Sequence, residues 1–521
     1  MALYSTSFLP LGRNEVEPFC SFLKQQQPMG VIRRQSLKHV SVSLIGLLVG
    51  AVSTFLVYPH VREGFGLIQV LLQVGLLGLP VMSLGANTVA IRFFPKFQDK
   101  MLGHHGFLPL LMLLCGLGFM LSGGIALLFW EQYMQRVEDN APLIRQYLWM
   151  AFPLAFFNVL NTVLTIYSAN FKRIVVPTIL MDFSQKLILP LLLICVWQQW
   201  ITLNMALWGM MIYTCCVTIS LIVYLRILGE WHWKPDWAYL TPPLKKELIG
   251  FISFWVLGGF ALSIATKSDV FMVGSLSTVK AAGTFVIAAA LAAIIELPIK
   301  SLYGASVSSV ANHLATEDYK ALGKLYQSVS INLLVAGLML FGGLWVSIDS
   351  IFDFFPKSQS GEMAVGTWVF FFIGISKLVD MSTGLNNYMI YYSQHYRYAL
   401  ISLLIAASLT VSLNLVLIPK IGLIGGAIST LVSVVFYNCF NVWLVWMKFK
   451  LFPFTQKTAM ALGLAIVSFG AAYLIPHSSI NWVDIILRGG MFTALFGIFI
   501  LKLEVSPDIN TLAKMLWQKY F

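Results

Sequence analysis

The chain has 521 residues, of which 58% are hydrophobic and 11% charged, with a formal net charge of +12. Soluble domains carry about 25% charged residues, so a soluble fold is excluded. The basic residues sit in short gaps between apolar runs and not on one polar face, which argues against a nucleic-acid partner and for loops at a membrane surface.

The N-terminal segment, residues 1–36, is polar and mixed and has no apolar stretch before a small-residue cleavage site, so no signal peptide is expected. Its first 28 residues read either as a tail or as an upstream extension of the reading frame, with Met29 as the alternative start.

About fourteen apolar runs follow, near 37–58, 65–91, 106–130, 144–168, 174–197, 202–225, 248–273, 281–300, 326–348, 365–390, 398–418, 421–447, 458–476 and 483–503. A run of roughly 20 residues crosses the hydrocarbon core as a helix. The expected fold is therefore an all-α polytopic membrane protein. With the N-terminus placed inside, 24 of the 34 Lys and Arg fall on inside segments, seven on outside segments and three within spans. That bias predicts both termini cytoplasmic.

A weak repeat runs through the chain. Glu63-Gly64-Phe65-Gly66 opens the second span and Pro80 interrupts it. Lys280-Ala281-Ala282-Gly283 opens the eighth, with Pro298 fifteen residues after Gly283. The offset is near 217 residues, or six spans, and the copies run parallel. The expected organisation is an N-lobe (37–226), a cytoplasmic linker (227–247), a C-lobe (248–447), two further helices (448–503) and a cytoplasmic tail (504–521).

No nucleotide-binding P-loop, zinc-protease or nucleophile-elbow motif occurs, so neither an enzyme nor a cofactor is expected. The six cysteines lie mostly within apolar runs and show no metal spacing, and no disulfide framework or metal site is expected. His104-His105 reads as a solvated loop pair.

Ionisable groups inside spans are the informative residues, because each costs about 2.5–3.5 kcal/mol at a helix centre. Asp182 and Lys186, Glu296 and Lys300, and Lys377 and Asp380 are spaced to share a helix face and pair locally. Lys267 and Asp269, two apart, point differently. Such groups either line a hydrophilic path or neutralise one another to make insertion tolerable. Asn87, Asn158, Asn161 and Asn414 read as glue between helices.

Local wording adds a resemblance. It is carried by Gly64-Phe65-Gly66-Leu67, by Ile91-Arg92-Phe93-Phe94-Pro95-Lys96 with His105-Gly106-Phe107, and by Ser268-Asp269-Val270-Phe271-Met272-Val273-Gly274 leading to Gly283-Thr284-Phe285. The most specific piece is the stretch from Asn414 through Pro419-Lys420-Ile421-Gly422 to Thr430. Over roughly residues 31–503 the chain resembles polysaccharide-exporting flippases of the multidrug/oligosaccharidyl-lipid/polysaccharide exporter superfamily, in particular the Wzx-type O-antigen flippases. The resemblance implies two six-helix lobes around a central cavity, two extra C-terminal helices and alternating access. It implies a substrate, undecaprenyl-pyrophosphate-linked oligosaccharide, crossing the inner membrane for lipopolysaccharide or other surface-polysaccharide synthesis. The lipid bilayer and a coupling H+ or Na+ are implied partners, with a polysaccharide polymerase or ligase downstream. Candidate substrate-binding cations are Lys267, Arg92, Lys300 and Lys377. Candidate ion-coupling carboxylates are Asp269, Asp380, Glu296 and Asp182. The competing readings are a cation-coupled multidrug or metabolite antiporter of the same superfamily and a membrane-embedded glycan polymerase. Short outside segments count against the polymerase.

Overall fold

The computed structural model describes residues 42, 45–137, 142–171, 173–353, 360–478 and 480–520. The chain is a multi-pass helical membrane protein. Among the described residues, twelve helices are long and apolar enough to cross a bilayer, and each coincides with an expected span. The first expected span is described from Ile45, as the shorter apolar helix Ile45–Leu56 (α1). The thirteenth is the 18-residue helix Gln456–Tyr473. The chain divides into two compact units, residues 1–283 and 284–521.

In the first unit, α2 (Arg62–Met82) is the central helix. Pro80 lies inside it and lacks an amide hydrogen, and the helix stops two residues later. Gly85 then takes φ +68°, open to glycine at little cost, and α3 (Ala86–Arg92) restarts. The unit continues with α4 (Phe107–Leu128), α5 (Ala151–Asn170), α6 (Ser184–Trp197), α7 (Leu203–Ile227) and the 35-residue α8 (Pro242–Leu276). Lipid tails are as apolar as leucine, so close approach of small residues drives helix association. A methyl on Gly75 of α2 would sit 3.1 Å from Ala155 Cα of α5, and one on Gly259 of α8 would sit 3.2 Å from Pro80. Asn161 of α5 is glue as expected: its amide donates to the Thr214 carbonyl of α7 (3.2 Å) and its oxygen accepts from the Thr218 hydroxyl (2.7 Å).

α9 (Val279–Ala293) begins at the end of this unit. Its first turn meets the first turn of α2 reciprocally. A methyl on Gly66 would collide with the Val279 carbonyl and lie 2.7 Å from Gly283 N, while one on Gly283 would collide with the Arg62 carbonyl. Arg62 and Gly66 correspond to Val279 and Gly283 under the 217-residue offset. The two close approaches are reciprocal at that offset.

In the second unit, α9 stops in a 3-10 turn, Ile294–Glu296, and α10 (Leu297–Ala315) restarts with Pro298 near its start, where no amide donor is needed. α11 (Tyr319–Val346) packs against α10, α12 (Ser360–Thr383), α16 (Gln456–Tyr473) and α17 (Gly490–Lys502). A short helix, α13 (Asn386–Tyr391), follows α12. The Asn414–Thr430 stretch forms the hairpin of α14 (Tyr396–Ile421) and α15 (Leu423–Phe449). Gly425 lets α15 approach the last turn of α14, since a methyl there would stand 2.5 Å from Leu417 C.

The segment expected as a tail contains a helix, α18 (Pro507–Tyr520), tied back to α11. Asp508 accepts from the Ser328 hydroxyl and from Asn332 Nδ2, the latter at 2.7 Å. These bonds hold the Asp508 carboxyl below its ordinary value. Arg62 and Arg488, both on segments expected to lie outside, are buried within the protein, each 2% exposed.

Candidate functional site

The polar groups that converge most fully lie in the second unit, on α12, α13, α15 and the turn before α10. Lys377 Nζ lies 2.7 Å from Glu296 Oε1, both partly buried. This differs from the expected pairing of Lys377 with Asp380. Lys377 reaches across to the α9–α10 turn rather than staying with Asp380, and Glu296 takes Lys377 as its partner. The Lys300 side chain lies outside the described residues.

One turn on from Lys377, Asp380 accepts from Asn438 Nδ2 of α15 at 3.2 Å. Asn438 is fully buried and its orientation is fixed, because its oxygen accepts from Thr383 Oγ1 (2.7 Å) and Asn386 Nδ2 (3.1 Å). A second layer lies beside it. The Asn387 oxygen accepts from the Tyr437 hydroxyl and from Asn441 Nδ2, both at 2.7 Å. The break after α12 at Gly384 (φ +58°) frees a carbonyl, which accepts from the Tyr303 hydroxyl at 2.7 Å. The cluster thus contains two carboxylates, one ammonium and a set of oriented amides and hydroxyls. Such a set of oxygen acceptors can hold a proton or a small cation.

The remaining candidates lie in the first unit and do not form one constellation. Arg92 stacks its guanidinium 4.8 Å from the Phe251 ring centre of α8. Lys267 and Asp269 lie further along the same helix. At 1.5 Å per residue, Phe251 and Lys267 are about 24 Å apart along the axis. Arg92 and Lys267 therefore do not converge on one headgroup. Asp269 is 7% exposed and Lys267 is exposed, which fits two residues 200° apart on a helix. Asp182 lies in a π-helical turn, Ile179–Phe183, ahead of α6. Lys186 packs against α1, its Nζ 3.5 Å from where a Gly46 methyl would be. Single-turn π-bulges recur at functional positions.

No protein-family model and no curated protein matches this chain. Solved structures do. The structure described as lipid II flippase MurJ in an inward closed conformation is similar at a TM-score of 0.67 and 14% identity, over 90% of this chain and 99% of that one. A multidrug resistance MATE family transporter of the MOP superfamily, inward-facing, is similar at 0.54 and 14%, over 78% and 94%. A MOP superfamily transporter from Pyrococcus furiosus reaches 0.50 at 12% identity, over 82% and 97%.

The chain shares the fold of these transporters. At this identity the likeness concerns the fold, and the site must be read from its own residues.

Several groups escaped the sequence reading. Asn386, Asn387, Asn438 and Asn441 are polar residues within apolar runs, and their number was the only available signal. The His104 imidazole, expected in solvent, is 3% exposed. It rests on the aromatic floor formed by Phe94 and Phe171, with ring centres at 5.4 and 5.5 Å.

Proposed function

We propose that this protein is a flippase that moves an undecaprenyl-pyrophosphate-linked oligosaccharide across the inner membrane by ion-coupled alternating access, in surface-polysaccharide or lipopolysaccharide synthesis. The observation that supports it best is the extent of the shared fold. The likeness to a protein described as a lipid II flippase runs over 90% of this chain, against 78% for the multidrug transporter. The wording of the Asn414–Thr430 hairpin points to the same class of cargo. A pyrophosphate brings at least two negative charges into a water-poor interior, and cations must offset them. Lys267, exposed on α8, is the first choice for that clamp. Asp380 is the first choice for the coupling ion, because the oriented amide of Asn438 donates to it while Lys377 is engaged by Glu296.

The test is flipping in proteoliposomes with defined lipid-linked oligosaccharides under imposed proton or sodium gradients. Lys267→Ala should abolish flipping and Lys267→Arg should retain part of it. Asp380→Asn should remove the dependence on the gradient while the protein still inserts. Wild-type flipping in Lys267→Ala would move the clamp elsewhere, and gradient-driven flipping in Asp380→Asn would remove Asp380 from coupling. The second reading, a cation-coupled multidrug antiporter, draws on the likeness to the MATE transporter. It predicts drug-driven counterflow and no movement of lipid-linked sugar in the same vesicles.

A further inference from the structure

We propose that His104, Glu230 and His232 form a zinc site that clamps the loop before α4 to the linker between α7 and α8. The three residues each offer one ligand atom, and these atoms lie within 4.8 Å of one another. His104 Nε2 and Glu230 Oε2 are already 2.9 Å apart. Two ligands on one tetrahedral zinc, at about 2.0–2.1 Å each, are separated by about 3.3 Å, so the third donor has to move by at most about 1.5 Å. Two imidazoles and a carboxylate form a donor set that suits zinc and leaves a fourth position for water.

A second observation points to a ligand. His232 Nε2 is buried and makes no hydrogen bond, while His104 turns its Nε2 to Glu230 and keeps Nδ1 on the far side of the ring. Buried polar atoms normally find partners, and an imidazole with an unused nitrogen in a group of this kind is poised to ligate. The backbone is shaped to bring the rings together. His104 takes φ +55°, a costly conformation for a residue with a side chain. Gly103 packs on His232, where a methyl would lie 3.1 Å from the ring, and Gly106 packs on the linker, where a methyl would lie 2.5 Å from Asp236 N. The Glu230 carbonyl accepts from the Tyr167 hydroxyl at 3.2 Å, which fixes the linker at that point. Lys100 approaches the other carboxylate oxygen of Glu230 at 3.9 Å, leaving Oε2 to the imidazoles.

The neighbouring contacts hold the loop without metal. His105 stacks on Tyr239 at 3.9 Å and pairs with Asp236 at 3.2 Å, and Lys96 pairs with Glu247 at 2.6 Å. His104, Glu230 and His232 would add an ion-dependent lock between the ends of two helix pairs. The inference does not depend on what the protein transports.

Its test is binding of zinc alone to the full-length, chelator-stripped protein in detergent, by titration calorimetry. Co2+ absorption would report the coordination number. The wild type should take up one zinc per chain, and Co2+ should show a four-coordinate spectrum. His232→Ala and Glu230→Gln should each weaken binding at least tenfold, since even an outer-shell partner is worth roughly 10–100-fold. Both changes spare the aromatic floor under His104, and equal elution on size exclusion checks the fold. His105→Ala, outside the ligand set, should bind as the wild type does. Absence of stoichiometric binding, or binding unchanged in both His232→Ala and Glu230→Gln, would overturn the proposal.

Discussion

The reciprocal contact between α2 and α9 supports a sharp test. In Gly66→Ala the new methyl would meet the Val279 carbonyl and stand 2.7 Å from Gly283 N. An ordinary contact needs about 3.4 Å or more, so the two helix starts must part by at least about 0.7 Å. Both neighbours are backbone atoms and cannot rotate away. Overpacking of this kind costs about 1–3 kcal/mol, and an unyielding backbone places it near the top of that range. Alanine recovers about 0.5–1 kcal/mol of helix propensity, leaving a net loss of about 2 kcal/mol. Gly116 of α4 is the control, because a methyl there meets no atom within 4 Å. Gly116→Ala should therefore be neutral or stabilising by up to about 1 kcal/mol. The two variants should differ by about 3 kcal/mol, or about a hundredfold in the unfolding equilibrium. Reversible unfolding in mixed detergent micelles with increasing SDS measures it. Equal midpoints for Gly66→Ala and Gly116→Ala would refute the close approach. Gly283→Ala should behave as Gly66→Ala does.

Other outcomes follow from the same structure. Lys377→Met leaves Glu296 without its partner and should destabilise by about 1–3 kcal/mol, less than a fully buried pair because both side chains are about a third exposed. The double change Lys377→Met with Glu296→Gln should recover most of that loss in the same SDS titration, and a double variant as unstable as Lys377→Met would dismiss the pair. Asp508 is held below its ordinary value by Ser328 and Asn332, so its contribution is present above the unfolded carboxylate range and is lost as pH falls through the depressed value. Docking of α18, followed by protease protection of the C-terminus, should therefore persist from neutral pH through the ordinary carboxylate range and fail only in stronger acid. Asp508→Asn should weaken it by about 1 kcal/mol, the modest value reflecting solvent exposure. For orientation, a cysteine at Lys420 should label from outside intact cells and one at Lys100 should not; the reverse pattern would invert the topology.

The helices were legible in the sequence because a window of mean hydropathy measures the property that puts a helix in lipid. The breaks at Pro80 and Pro298 were legible because proline acts locally. The 217-residue repeat was legible as a pattern, and its consequence, Gly66 against Gly283, appears only when the chain is folded. What spacing missed was the nearest partner of Lys377. Spacing along one helix offered Asp380 to Lys377, yet Glu296, 81 positions away, supplies the closer carboxylate. The register of one helix against another depends on packing along their whole lengths, and local spacing does not carry it. The same reason hid Asn438 from Asp380 and Glu230 from His104, which are 58 and 126 residues apart. The burial of Arg62 and Arg488 was not legible, because a loop cation and a buried cation at a helix end look alike in sequence.

Two carboxylates of the second unit show how satisfaction can separate a structural group from a working one. Asp484 is 1% exposed and surrounded by donors. Ser350 donates at 2.5 Å and the Ser478 amide at 3.0 Å, and Arg488 and His477 stand at 3.8 and 3.5 Å. Arg488 in turn lies 2.8 Å from His477 and over the Tyr473 ring. That group balances its own charge and ties α16 to the start of α17, so it has no need of a visitor. Asp380 differs. Among the described residues its carboxylate accepts from one amide, Asn438, and the ammonium beside it is 2.7 Å from Glu296. Among the described side chains, two carboxylates stand against one ammonium, and a neutral amide cannot balance the second carboxylate. On the proposed reading a proton or a small cation does so, and its arrival or departure would change the electrostatic energy of the α12–α15 contact by more than any neutral bond there. A helix contact whose energy depends on an ion is the kind of two-state element that ion coupling requires.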